Sequence, residues 1–577
     1  MRKSNRPESE PAHDSNANNT RASRRRDQRR RATRMGIAAL IALCMGALAF
    51  GVGTSGAVAA TVPPTATPTA AATATATPTP TPKPSTATPT PTPTTPTPTP
   101  TATPKAPTAA PTPTATTTPA PSPTPTATAA PKPQTVVSLT FDDGNADQQA
   151  AANTMAQYKL KGTFFINSGF VGGANYFTVA NLTSLAAAGN EIGGHTVSHP
   201  DLTTLSSDEA KRQVCNDRIN LTNWGFTPVS FAYPYASTNA AVQKIVSDCG
   251  YNSARGLGDL RSRFGCAGCA YAETIPPASK FITKALDEVD STWTLKDLQD
   301  SVTNAEKTGG WVQFTFHHVC ATTCDPLGLT ITPTLFAQFA AWLAPRATTN
   351  NTVTKTVAQV IGGAVKPVVA GPIVAPAAAG VNGLKNPGME TFNPATGLPS
   401  CWMIGGYGTN TAVFATGSPT HTGTGAEAIT MSSYASGDAK LLPQFDLGDC
   451  APTVVPGHTY SLRSWYNSSV VTQYAVYLRD SIGVWRYWTS SPWFAASPTY
   501  AQAIWTTPTI PTGMTGISFG LSIFLNGKIT TDDAELYDAV GAPGTTAPAA
   551  ATPLVAPPVT GKVETHAGVA PATAPAG

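Results

Sequence analysis

Charge is scarce in this chain of 577 residues and histidine scarcer still: Asp, Glu, Lys and Arg make up 12% of it, and it has 8 histidines. The formal net charge of +4 invites a nucleic-acid partner. Residues 1–34, however, hold eleven Lys or Arg against four Asp or Glu, which leaves 26 basic and 29 acidic residues in the rest. A polyanion finds no attractive excess there, so nucleic acid is excluded as a partner. Long apolar runs are also few. The prominent one, Gly36 to Gly53, follows the basic run Arg21 to Arg34 and leads to Ala57-Val58-Ala59-Ala60. That is the layout of an export signal (residues 1–60), cleaved near Ala59 or Ala60. Because about 18 apolar residues also just span a bilayer, membrane attachment is expected only if the signal is retained.

Core-building residues are missing altogether from a second stretch. Residues 61–134 are nearly all Thr, Pro and Ala in Thr-Pro repeats, a composition that holds the backbone extended and buries nothing. At about 3.1 Å per residue such a stalk reaches on the order of 200 Å. Residues 364–381, rich in Ala, Val, Pro and Gly, are expected to be a linker, and residues 541–577 a disordered tail. Cysteine is sparse, at nine, but eight of them follow Cys44, an even number in a chain that the signal would export. That favours disulfides. Cys401 with Cys450 is the expected pair; the pairing of Cys215, Cys249, Cys266, Cys269, Cys320 and Cys324 stays open. Cys266-Ala-Gly-Cys269 has no second such pair with histidines nearby, so a disulfide is preferred there over a zinc knuckle.

Two textures remain. Residues 135–363 alternate short β-rich runs (Thr135 to Phe141, Gly162 to Ile166, Glu191 to Gly193, Pro228 to Ala232, Trp311 to Phe316) with helical patterns, of which Ser207 to Asn223 is the longest. Such alternation predicts an α/β fold, a parallel barrel or open sheet with its site at the C-terminal ends of the strands. In residues 382–540 helical periodicity vanishes and short alternating strands such as Thr459 to Tyr466 and Gly516 to Phe524 predict an all-β sandwich.

Four strand-end motifs in the first unit carry chemistry. Thr140-Phe141-Asp142-Asp143-Gly144 sets two carboxylates side by side where a strand ends, and neighbouring carboxylates repel unless a cation or proton lies between them. Alone, an Asp-Asp-Gly turn is weak evidence. His195-Thr-Val-Ser-His199 puts two imidazoles four residues apart, where one turn or tight loop aims both at one ion. Phe231-Ala232-Tyr233-Pro234-Tyr235 runs into a proline-stiffened turn whose backbone amides suit an oxyanion. Trp311 to Phe316 delivers His317, followed by His318.

Together and in this order, these motifs closely resemble the NodB-homology polysaccharide deacetylases, carbohydrate esterase family 4, over residues 135–363. The resemblance implies a distorted (β/α) barrel. It implies that Asp143, His195 and His199 ligate a divalent metal, with zinc first and cobalt or nickel as alternatives. It makes Asp142 the general base, His317 the general acid and the Tyr235 amide an oxyanion donor. The substrate it implies is an acetylated polysaccharide, N-acetyl foremost, and the expected location is secreted or wall-associated. Two departures stand out: the family's arginine in the third motif is replaced by Ala232, and Asp290 and Trp293 lie near the family's Asp-Trp motif without its spacing. A catalytically inactive glycan-binding wall protein is the rival reading, and an amidase acting on small substrates would share the site. In the second unit, Asn386-Pro387-Gly388-Met389-Glu390, Trp402, Trp465 and Asp532-Asp533-Ala534-Glu535-Leu536 look like a jelly-roll carbohydrate-binding module. Its six tryptophans are candidates for stacking on sugars, and Asp532 with Asp533 for a structural calcium.

Overall fold

A computed structural model describes residues 132–321 and 324–544. The export signal, nearly all of the Thr-Pro stalk and the tail beyond 544 lie outside the described residues.

The sequence TVVSLTF of β1 (Thr135–Phe141) is buried along its whole length, as a strand covered on both faces must be. Around it lie β2 (Gly162–Ile166), β3 (Glu191–Gly194), β4 (Ser230–Ala232), β5 (Ser253–Arg255) and β6 (Gly310–Phe316). A two-stranded pair, β7 (His318–Val319) with β8 (Thr330–Ile331), follows, and β9 (Thr352–Thr354) pairs with the start of β1. The main sheet is parallel throughout, in the order β5-β4-β3-β2-β1-β6. Between its edge strands β5 and β6 runs an irregular segment, which bridges Arg255 to Thr283 and Glu288 to Thr315. The sheet is therefore a curled barrel with one wall made of loop, the distorted (β/α) barrel expected from the sequence.

Helices α1 (Gln149–Gln157), α2 (Val179–Ala187), α3 (Ser207–Asn223), α4 (Ala240–Asp248), α5 (Leu295–Ala305) and α6 (Pro333–Leu343) surround it. Thr178 and Thr294 open α2 and α5 with capping boxes, and Ser206 caps α3 through the Glu209 amide. Phe141, Phe164, Phe316 and Phe336 form one aromatic cluster in the core between sheet and helices.

Residues 402–538 form two five-stranded antiparallel sheets. One takes β10 (Trp402–Tyr407), β13 (Asp438–Pro443), β18 (Met514–Ile523), β15 (Gln473–Asp480) and β16 (Trp485–Ser490) in that order. The other takes β11 (Thr411–Thr416), β12 (Glu427–Ser432), β19 (Gly527–Asp538), β14 (Tyr460–Ser468) and β17 (Ser497–Thr506). Alternate residues such as Leu462, Tyr474, Val476 and Phe519 face inward to a shared core. Disulfides join Cys401 to Cys450 as expected, and also Cys215 to Cys249, Cys266 to Cys269 and Cys320 to Cys324.

Candidate metal and catalytic centre

The carboxylates at the end of β1 part company because the backbone turns between them. Asp143 and Gly144 take φ of 73° and 75°, a left-handed step that a non-glycine residue adopts only where its surroundings enforce it. Asp142 turns into the barrel, where it is buried, and its amide donates to Phe316 O of β6 at 3.0 Å. Asp143 is left facing the histidines.

At the end of β3 there is no room for a side chain before the first histidine: a Cβ on Gly194 would sit 2.0 Å from Tyr251 Oη. His195 follows, buried, with its Nδ1 2.7 Å from Ala232 O. A carbonyl only accepts, so Nδ1 carries the proton and Nε2 presents its lone pair to the site. That Nε2 lies 3.5 Å from Asp143 Oδ1, and His199 Nε2 lies 3.4 Å from the same oxygen. The loop reaches this geometry through left-handed Thr196 and His199, at φ 73° and 59°, with Thr196 Oγ1 accepting from the His199 amide at 2.9 Å.

One oxygen and two nitrogens on a common point, all within 4.8 Å of one another, make a three-donor set with further positions open, as catalytic metal sites have. The electrostatics fit a cation. Burial alone would raise the Asp143 carboxyl, but the facing His195 ring and the charges of His199, His317 and His195 hold it far below the usual range. Burial opposes a charge on His195, yet the facing Asp143 carboxylate and the charge of Asp142 raise it; the pocket favours a positive charge there. His199 is brought down to about 4 by burial, which Asp143 opposes and the charges of His195 and His317 reinforce, so it is a neutral ligand at neutral pH. Asp143 Oδ1 is buried without a hydrogen-bond partner, with the two imidazoles facing it at 3.5 and 3.4 Å.

Residues 129–254 match the family model of polysaccharide deacetylases. The chain carries a polysaccharide deacetylase domain. It is 35% identical over 117 residues to a chitin deacetylase of Pestalotiopsis sp, covering 20% of this chain and 39% of that one. It is 34% identical over 110 residues to a peptidoglycan-N-acetylmuramic acid deacetylase of Bacillus subtilis, covering 18% of this chain and 22% of that one. The chain thus spans well under half the length of these two curated relatives. Among solved structures, a family 4 carbohydrate esterase from Streptomyces lividans in complex with acetate is 18% identical, covering 41% of this chain and 98% of that one with a TM-score of 0.27.

In this deacetylase domain the arginine missing at Ala232 is supplied by the next strand. Arg255 stands opposite Ala232 in the β4–β5 register. It is buried, its Nη2 pairs with Asp142 Oδ2, and its Nη1 donates to Thr315 Oγ1 at 2.6 Å. Its guanidinium lies over the Phe165 ring. The family match ends one residue earlier, at 254, and a three-residue strand gives no periodic signal from which Arg255 could be read.

His317 follows β6, with its carbonyl held by Gln148 Nε2 at 2.8 Å and Asn145 Nδ2 at 3.2 Å. It is close enough for its charge to act on both Asp143 and His199. His318 turns away to Asp147 Oδ2 at 2.8 Å, which separates the two adjacent histidines by environment. Tyr235, at φ 57°, lies in the turn Pro234–Ala236, and its ring packs edge-on against His199 at 4.6 Å. Asp290 and Trp293 share a turn, and Trp293 stacks on Phe264 in the core away from the donors. In the sandwich, Asp532 accepts from the His421 and Thr422 amides, and Asp533 binds His421 Nδ1 and Thr422 Oγ1. These bonds fold the 421–422 loop onto the strand, and His421 stacks on Trp465.

Proposed function

We propose that the chain is a metal-dependent deacetylase that hydrolyses acetyl groups, N-acetyl foremost, on an extracellular or wall polysaccharide such as chitin or peptidoglycan. The observation that carries this reading is the convergence, at one end of the barrel, of the Asp143, His195 and His199 donors with an Arg255-paired Asp142 and with His317. Export is supported by the eight cysteines all being in disulfides.

Asp143 Oδ1, His195 Nε2 and His199 Nε2 would hold the ion, zinc in preference to cobalt or nickel. Bound there, it supplies Lewis-acid polarisation of the acetyl carbonyl and acidifies water. The Arg255 bond fixes one Asp142 oxygen and leaves Oδ1, which has no hydrogen-bond partner, to take the proton of the attacking water. The Tyr235 amide donates to the oxyanion as the carbonyl becomes tetrahedral. His317, whose Nδ1 is also unpartnered, gives the departing amine its proton. The rival of an inactive glycan-binding protein drew on Ala232, the long stalk and the aromatic sandwich, and the Arg255–Asp142 pair removes the first of these motives.

The test is acetate release by the full chain on chitin oligomers, peptidoglycan, poly-N-acetylglucosamine and acetylated xylan. Release from at least one of these four is the expected result. A chain that binds zinc and glycan but releases acetate from none of them is the lectin instead.

A further inference from the structure

The histidine loop is strained and thin. Thr196 and His199 both hold left-handed backbones, a state that persists only where packing and hydrogen bonds over-determine it. Helix α3 supplies those bonds. Gln213 O accepts from the Val197 amide at 3.1 Å, and Gln213 Oε1 accepts from the Ser198 amide at 3.1 Å. Asp217 Oδ2 accepts from the His195 amide at 3.2 Å, while its Oδ1 accepts from the Ser168 amide at 3.0 Å.

Helix α3 is itself gripped from the other side by the β-sandwich. Gln213 Nε2 donates to Glu209 Oε1 at 3.1 Å, and the same oxygen accepts from the Leu447 amide of the sandwich at 2.9 Å. Glu209 Oε2 holds Arg212 Nε at 2.9 Å, and Arg212 and Ser206 both reach Asp449. About two turns beyond Gln213, Asn220 Nδ2 bonds Ser168 Oγ at 3.0 Å and Ile482 O of the sandwich at 2.9 Å. Two chains of hydrogen bonds thus run from the sandwich to the histidine loop, one ending at Ser198, the residue before His199, and the other at the His195 amide. The first goes through Leu447, Glu209, Gln213 and Ser198, and the second through Ile482, Asn220, Ser168, Asp217 and His195.

Direct packing reinforces both: a Cβ on Gly483 would lie 2.9 Å from Val197 Cγ1 and 2.8 Å from Leu447 Cδ2. The segment 364–381 between the two units also lies along α3. Arg218 binds its Lys366 and Pro367 carbonyls, and Asn216 Oδ1 accepts from its Gly371 amide at 3.0 Å.

We propose that the β-sandwich is a brace for the metal loop, with Glu209, Gln213 and Asn220 of α3 as positioning residues that carry its hold to the loop bearing His195 and His199. A sugar-binding module on a free tether needs none of these bonds. The zinc arm of the test rests on the metal reading above; the exchange arm does not.

The experiment compares two full-length variants, Gly483→Val and Gly513→Val. Both glycines have left-handed φ, 93° and 85°, but nothing lies within 4 Å of a Cβ on Gly513. Backbone strain in a sandwich loop is therefore common to both, and pressure on Val197 belongs to Gly483→Val alone. In metal-free protein, Gly483→Val is expected to speed amide exchange across residues 196–199 by about ten-fold over wild type. Its zinc Kd, from competition with a chromophoric chelator, is expected to rise roughly 10-fold to 100-fold. Gly513→Val should change neither. If Gly483→Val does not fold, Asp449→Ala, which removes the Ser206 and Arg212 contacts, is expected to move both readouts the same way by about three-fold. Exchange at 196–199 that matches wild type in the interface variant overturns the brace, whatever zinc does. A wild-type chain that takes up no zinc contradicts the metal reading and leaves the exchange comparison to decide the brace.

Discussion

Arg255 reaches Asp142 from one strand beyond the place where a motif search looks for its cation. Strands β4 and β5 are in parallel register, so an arginine moved from position 232 to 255 enters the barrel at the same height. Breaking a buried ion pair leaves a lone charge and costs about 3–5 kcal/mol. Arg255→Met is therefore expected to lower stability by that order and kcat by about 10²-fold or more, with a smaller change in KM. Steady-state kinetics beside urea denaturation checks it; wild-type kcat in Arg255→Met would detach the arginine from the base. Glu427 is the converse case, a buried carboxylate with neither oxygen partnered, pushed by burial up to about 7. Its folded value exceeds the ordinary 4.5, so the fold favours the protonated form. Stability from this group is full below pH 4.5 and is lost as pH rises to about 7. Glu427→Gln should unfold at a higher temperature than wild type at pH 8 and should lose that advantage at pH 4, as read by thermal scans at the two pH values. The proposed ligand residues stand out in the sequence because two histidines four apart are informative in a chain with 8. Arg255 does not, because its role comes from strand register, which composition and spacing do not carry.

At the scale of elements, the barrel strands were legible and much of the sandwich was not. Strands β1 and β2 and helix α3 fall on the residues expected of them, since a strand buried on both faces reads as a plain apolar run and α3 is 17 residues long with a serine cap. Strand β13 hides its nature by burying Asp438 and Lys440 against each other beneath the rings of Tyr407 and Tyr477. All six of its residues are buried, yet its start reads as charge. Strand ends are where element and site meet. Gly194 closes β3 with no space for a methyl group, so Gly194→Ala should cost about 1–3 kcal/mol. It should also displace His195, whose amide is the next on the chain. A metal Kd unchanged in a destabilised Gly194→Ala protein would show that the loop adjusts independently of its strand.

For the molecule as a whole, the two units were legible from their textures, but their attachment was not. The composition of residues 364–381 promises a tether, and the hydrogen bonds of Arg218 and Asn216 make it a strap along α3. No local pattern announces that arrangement, because each bond joins residues far apart in sequence. The Cys401–Cys450 disulfide anchors the sandwich loop that carries Leu447 and Asp449. Replacing both cysteines by serine should lower the stability of the full chain by about 2–4 kcal/mol, seen as a shifted denaturant midpoint.

The proposed chemistry has Asp142 as base beside a metal held by Asp143, His195 and His199. Its most direct test is acetate release from chitin oligomers and peptidoglycan by the full chain stripped with a chelator and then titrated with zinc, with Asp142→Asn alongside. Release is expected to return in proportion to zinc up to one ion per chain, and Asp142→Asn to bind the ion yet turn over about 10²-fold to 10⁴-fold more slowly. Release that survives the chelator, or that Asp142→Asn leaves intact, would contradict this chemistry.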